Sequence, residues 1–309
     1  MKLHPTDEDL SAGTPGCTMD GARGFLQSQV PKCEGPGARA ILLLVHGLRN
    51  RGQEMQYIIG FIIALFIALT GVGAGTITVP VLVLFLGVPA PEAVGIGLMF
   101  ATAVKLILVP AQIVRKNVAW RTLGFMLLGG APGVLVGSLF LKHLVTTGSQ
   151  NLLNALLGAI LVSTAGWQLF YALRPPKEPR DPRDRSPLLS WLMFPVGAEV
   201  GFSSAGAGAL GSAALLSLTP LAPAQVVGTD IAFGFIVSLI GSGAHWFSHA
   251  ANQELLMALI AGGVFGAITG TALSTRIPRR PLRFALWVWL LILGGQFLFN
   301  SYHVWAATR

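Results

Sequence analysis

The chain has 309 residues, 53% of them hydrophobic and only 11% charged, and its mean hydropathy of +0.66 sets it apart from ordinary soluble globular domains. Its net charge of +8 does not point to nucleic acid, because the basic residues gather in short connections and are not interleaved with aromatic side chains on one face. The two cysteines, Cys17 and Cys33, lie in a polar stretch with no His or acidic cluster at metal-ligand spacing, so neither metal nor cofactor is expected.

Residues 1 to 54 are rich in Gly, Pro and mixed charge, and their one apolar run, Ile41 to Val45, is too short to span a bilayer or form a signal-peptide core. The stretch reads as a disordered tail, and Met55 opens the hydrophobic part directly, which leaves a start at that residue open. From 55 to 173 come two short apolar segments, 57 to 71 and 76 to 88, then three long ones, 92 to 114, 122 to 141 and 151 to 173. A Pro-rich charged linker, 174 to 187, cannot be helical and marks a boundary. The remainder, 188 to 309, repeats the order: short segments at 188 to 203 and 208 to 219, then long ones at 224 to 247, 255 to 275 and 284 to 302.

The six long segments approach or exceed the roughly 20 residues that a helix needs to cross about 30 Å of hydrocarbon. They are expected to be helices, since a span must satisfy its backbone groups internally and barrel-type alternation is absent. The short ones would reach only about 18 to 24 Å at 1.5 Å per residue. Each short pair is split by a glycine-rich break, which predicts a re-entrant hairpin that enters and leaves on one side.

The two parts share more than their order. Gly73-Ala74-Gly75 recurs as Gly206-Ala207-Gly208, a constant offset of 133 residues (73 to 206). In the same register Val94-Gly95 meets Val227-Gly228, Phe100 meets Phe233, and Gly129-Gly130, Gly133 and Gly137 meet Gly262-Gly263, Gly266 and Gly270. This predicts an internal duplication. A hairpin plus three spans per half makes an odd number of crossings, so the halves are expected to be inverted. The fold class is therefore an all-α polytopic membrane protein of two inverted repeats, each a re-entrant helical hairpin plus three transmembrane helices.

Twelve of the 21 Lys and Arg residues fall into three connections: Arg115 to Arg121, Arg174 to Arg185 and Arg276 to Arg283. With hairpins all three face the cytoplasm of a cell inner membrane; an eight-span alternative would put the third on the opposite side from the others. The lipid bilayer is thus one expected partner, nucleic acid is not, and nothing in the sequence bears on oligomeric state.

The breaks are the candidate site. A break frees backbone groups that lipid cannot satisfy, and the helices that follow it aim N–H groups and positive dipole ends inward, where a small anion is stabilised. Thr70, Gly73, Gly75 and Thr76 in the first break and Ser203, Ser204, Gly206 and Gly208 in the second are the candidate binding residues. Buried ionisable groups are costly in a span, which draws attention to Lys105, Glu199 and Asp230. Two roles are open to them, a structural ion pair or a place on the substrate path. Asp230 stands at the repeat position of Gly97 and Lys105 at that of Ser238, so the charges are not copies of each other. His245, counterpart of Gln112, could carry a proton near neutral pH. The ladders Gly129, Gly133, Gly137 and Gly262, Gly266, Gly270 read as helix packing. No Gly-x-Ser-x-Gly elbow, His-Glu-x-x-His or transmembrane Asp pair suggests an enzyme, and Glu199, Asp230 and His245 are too scattered to argue for a metal site.

On these residues the chain resembles the TauE/SafE sulfite-exporter family of permeases, over about Met55 to Phe299. The hallmarks are the repeated Gly-rich hairpin (Gly71 through Pro80, and Gly206-Ala207-Gly208), Val227-Gly228-Thr229-Asp230 with the later His245, and a small-residue helix, basic loop and closing span from Gly262 to Phe299. It departs where Gly95-Ile96-Gly97 replaces a frequent Gly-Thr-Asp and Gln112 a frequent His. The resemblance implies a secondary transporter of sulfur-containing anions such as sulfite, sulfoacetate or thiosulfate. It favours export, coupled to the proton gradient through Asp230 or His245, with another small anion or a metal ion as the alternative cargo.

Overall fold

The computed structural model describes residues 54–70, 73–148, 150–173, 185–205, 207–246, 252–273 and 279–307. The expected tail up to residue 53, the linker at 174–184 and Gly206 lie outside them. Ten helices follow in chain order: α1 Glu54–Thr70, α2 Ala74–Leu86, α3 Ala90–Val114, α4 Trp120–Thr146, α5 Gln150–Leu173, α6 Leu188–Ser203, α7 Ala207–Leu218, α8 Pro223–Trp246, α9 Gln253–Leu273 and α10 Arg279–Ala307. Six of them, α3, α4, α5, α8, α9 and α10, are long and apolar enough to cross a membrane. These are the six spans read from the sequence, and the chain is an all-α polytopic membrane protein.

The helices α2, α6 and α7 have 13, 16 and 12 residues and fall short of the hydrocarbon thickness. Prolines sit inside α2, α3, α4 and α6 (Pro80, Pro110, Pro132 and Pro195), which a membrane helix tolerates when neighbouring helices cover the freed carbonyls. Large apolar side chains remain on the outer faces, among them Val114 and Trp191, each 82% exposed. In water such a surface would aggregate; in lipid it is the solvated face.

Packing follows the glycine ladders. A Cβ on Gly129, Gly133 or Gly137 of α4 would strike the backbone of Ser190, Phe194 and Ala198 of α6, so the two helices touch main chain to main chain and run parallel. In the other half, Gly262, Gly266 and Gly270 of α9 receive Tyr57, Phe61 and Leu65 of α1 in the same way, each partner shifted by the repeat offset. Each opening helix therefore packs on the ladder helix of the other half. A second pair of contacts interlocks the halves further: the ring of Phe233 fills the space that Gly130 leaves, and the ring of Phe100 fills that beside Gly263. Small residues allow this approach, and any added side chain would have to push two backbones apart.

At the centre α3 and its repeat counterpart α8 run antiparallel. Gly95 near the start of α3 lies beside His245 near the end of α8, Leu98 meets Gly241, and Asn117 just after α3 meets Gly228 near the start of α8. The Ala119 amide donates to Thr229 Oγ1 at 3.0 Å, which ties the α3–α4 connection to the same end of α8. The Arg185 amide, three residues before α6, donates to Leu218 O at the end of α7 at 3.0 Å, so α6 and α7 form a hairpin whose two ends lie together.

Candidate functional site

Both glycine breaks reach the middle of the bundle and touch. A Cβ on Gly75, the second residue of α2, would collide with the carbonyl of Ser204, which caps α6 in the left-handed conformation at φ 60°. Ser204 Oγ also approaches Gly97 of α3; a Cβ there would lie 3.2 Å from it and 3.1 Å from Val79. The Ser204 amide closes the last turn of α6 on Val200 O at 2.8 Å. Ser204 Oγ itself is buried and without a hydrogen-bond partner among the described residues.

Next to this contact lies a cavity of about 80 Å³, room for a few waters or one small anion. Gly73 from the first break and Gly208 from the second both line it, with Lys105, Gln112 and Arg115 from α3 and its end, and Asp230 from α8. The N-cap residue of α2, Gly73, and the second residue of α7, Gly208, therefore border one small space, and helix N-termini are where anions are stabilised. The remaining walls are largely aliphatic, including Ile67, Leu108 and Ile231. Lys105 and Asp230, 7% and 4% exposed, are the charged residues buried here. Ser212 Oγ lies 2.7 Å from both Asp230 Oδ2 and Gly208 O, its single hydroxyl proton available to either acceptor, so one serine of α7 links the second break to the carboxylate.

A wider vestibule of about 470 Å³ shares Gln112, Arg115 and Val227 with the cavity and is otherwise lined by residues such as Asn117, Ser212 and Pro223. The vestibule thus lies at the α3–α4 and α7–α8 connections, and the cavity with Lys105 and Asp230 adjoins it at these shared residues. The Asn117 side-chain amide donates to Gln112 Oε1 at 3.0 Å.

The structure separates the other candidates. The Thr70 hydroxyl donates to Phe66 O at 2.6 Å, that of Thr76 to Gly73 O at 2.5 Å and that of Ser203 to Glu199 O at 2.9 Å. Their hydroxyl protons are engaged by the main chain, so they shape the breaks instead of facing the cavity. Glu199 is not among the residues lining the cavity, and its Oε1 is buried without a partner among the described residues. His245 is also absent from the lining; its Nε2 is 3.5 Å from Gly201 O, and it lies at the opposite end of α8 from Val227. Sequence reasoning misses Gln112, Arg115, Asn117 and Ser212 as site residues. The repeat could find Gln112, as counterpart of His245; Arg115 reads in sequence only as a loop charge.

Comparison with known proteins decides the family. The model for the sulfite exporter TauE/SafE family matches residues 57–297. The chain belongs to this family. It is similar to the probable membrane transporter protein YjnA of Bacillus subtilis (strain 168), 27% identical over 245 residues that cover 77% of this chain and 96% of the relative. It is also similar to the probable membrane transporter protein YunE of the same organism, 26% identical over 110 residues, 36% of this chain and 40% of that one. No solved structure matches the chain. Family membership and six spans together make this TauE/SafE protein a multi-pass membrane transporter, in agreement with the sequence reading.

Proposed function

We propose that the protein exports a sulfur-containing oxyanion of the sulfite, sulfoacetate or thiosulfate type across the cell inner membrane, coupled to protons, with the cavity between the glycine breaks as its binding site. The observation that carries this reading is that Gly73, Gly208, Lys105 and Asp230, from both repeat halves, line one space. Paired helix N-termini offer an oxyanion several hydrogen bonds without an excess of fixed positive charge, and Lys105 adds one compact cation. Asp230 lies within the site and His245 outside it, which favours Asp230 as the group through which protons are coupled.

The halves act as inverted repeats with re-entrant hairpins α1–α2 and α6–α7. The antiparallel course of α3 and α8 and the joined ends of α6 and α7 support this arrangement. With the basic connections cytoplasmic, the vestibule opens to the cytoplasm and the described state is the one that loads an exporter. The basic connection at 174 to 187 is cytoplasmic in this reading.

The test is counterflow of labelled sulfite, thiosulfate, sulfoacetate and sulfate in proteoliposomes, with and without a pH step. Exchange of one or more of these anions is expected. Uptake of a divalent metal with no exchange of any anion would overturn the reading, and anion exchange indifferent to pH would remove the proton.

A further inference from the structure

Three charged residues line the cavity: Lys105 from the first half and Asp230 from the second are buried and cancel each other, and Arg115 stands exposed at its edge. A pocket built only to attract negative charge has no use for the carboxylate. With both present, a dianion between them leaves an excess of negative charge against Ile67, Leu108 and Ile231 even with Arg115 at the edge, an expensive arrangement in an apolar interior, whereas a singly charged oxyanion leaves none. An oxyanion that carries a proton suits both walls. Its oxygens accept from the Lys105 ammonium and from the N–H groups at the breaks, while its O–H donates to the Asp230 carboxylate.

The surroundings of Asp230 hold an acceptor in place. Ser212 Oγ of α7 lies 2.7 Å from Oδ2. Oδ1 lies against Gly211, where any side chain would strike it, and Met126 of α4 closes that face. Lys105 and Arg115 bring the other charges to the cavity from α3 and its end, and its described lining contains no second acid and no histidine.

We infer that the site selects oxyanions basic enough to hold a proton near neutral pH, with that proton between Asp230 and the anion, and that Asp230 is the residue that sets this preference. This rests on the anion-transport reading above and deepens it. Whether the proton is drawn on the anion or on the carboxylate, the bound complex has the same proton count, and pair and ligand titrate together. Proton coupling then follows from the cargo: each anion crosses with its proton. Sulfite and phosphate qualify, whereas sulfate and thiosulfate are too weakly basic to bring a proton.

Counterflow in proteoliposomes of the full chain, at a series of pH values, separates the cases. The wild type is expected to exchange sulfite at least tenfold faster than sulfate. Asp230→Asn replaces the acceptor with a group that can donate to an unprotonated anion; its sulfate rate relative to sulfite should rise at least tenfold and its pH dependence flatten. Asp230→Glu keeps the acceptor and should keep the preference. Equal rates for sulfate and sulfite in the wild type, or an unchanged preference in Asp230→Asn, overturn the inference and leave anion transport standing. If the wild type exchanges no anion of the panel, the underlying reading fails with it.

Discussion

The cavity beside Lys105 and the region at the equivalent repeat positions share one backbone plan, yet one is hollow and the other is closed. On the hollow side stand Gly73, Lys105, Gln112, Gly208 and Asp230. Apart from Gly206, the repeat counterpart of Gly73, their equivalents are Ser238, His245, Gly75 and Gly97. There Ser204 presses on Gly75 and Gly97, Leu98 packs on Gly241, and the Ser138 hydroxyl donates to Gly201 O at 3.3 Å. Two halves that fold alike are thus caught in unlike states. If the halves act as the inverted repeats proposed above, exchanging the two arrangements would open the closed side and close the open one, which is alternating access. Lys105 and Asp230 both line the hollow side, and in the function proposed above the substrate is held there.

The comparison is broken most severely by filling each side at its matching glycine. Gly208→Leu places a side chain at the cavity wall, where space exists, and should reduce transport at least hundredfold while the protein still inserts and remains monodisperse in detergent. Gly75→Leu drives a side chain into the Ser204 backbone. It should lose transport equally and also weaken the bundle, by about 1–3 kcal/mol or more as overpacking costs, read as a lower melting temperature. Equal stability of the two variants would mean that the two sides do not differ as described.

Much of this is legible in the sequence. The duplication, the six spans and the breaks follow from glycine register and segment length, because lipid permits few alternatives to a helix and punishes an unsatisfied break. The ladders are legible as packing, but not what they pack against. That α1 lies on α9 and α6 on α4 joins Tyr57 to Gly262 and Gly129 to Ser190, and no local spacing encodes either pairing. The hydroxyls of Thr70, Thr76 and Ser203 look like substrate donors in sequence, yet near a helix end a Ser or Thr has a carbonyl of its own turn within reach. Ser204 differs because it occupies the left-handed cap, which turns its side chain away from that turn and toward Gly97.

A smaller effect sharpens the contrast by accessibility. With Cys17 and Cys33 replaced, Gln112→Cys at the mouth of the cavity should react with a membrane-impermeant maleimide at least tenfold faster than Ser204→Cys, which is buried. Adding Gly97→Ala sets a methyl group 3.1 Å from Val79 and 3.2 Å from the position of Ser204 Oγ, a wedge in the closed side. Labelling of Ser204→Cys should then rise and that of Gln112→Cys fall, since opening one side closes the other. A rise at both positions would show independent loosening and not a coupled exchange.

The smallest expected effect is at His245, and its smallness carries the information. A histidine late in a span invites a proton-carrying role, but this one is not among the residues lining the cavity with Lys105 and Asp230, and its Nε2 stands 3.5 Å from Gly201 O. At the equivalent position of the first half the chain already uses glutamine, Gln112, which lines the open cavity and cannot titrate. His245→Gln therefore makes the two half-sites alike at this position without adding charge or much volume. If protons cross between Asp230 and the anion, the variant should exchange sulfite within about threefold of wild type, since His245 lies outside the cavity that holds them. The pH profile of exchange should keep its midpoint. A shifted or flattened profile in His245→Gln, with Asp230→Asn left pH-dependent, would move the coupling group to the closed side and reverse the assignment of roles between the two half-sites.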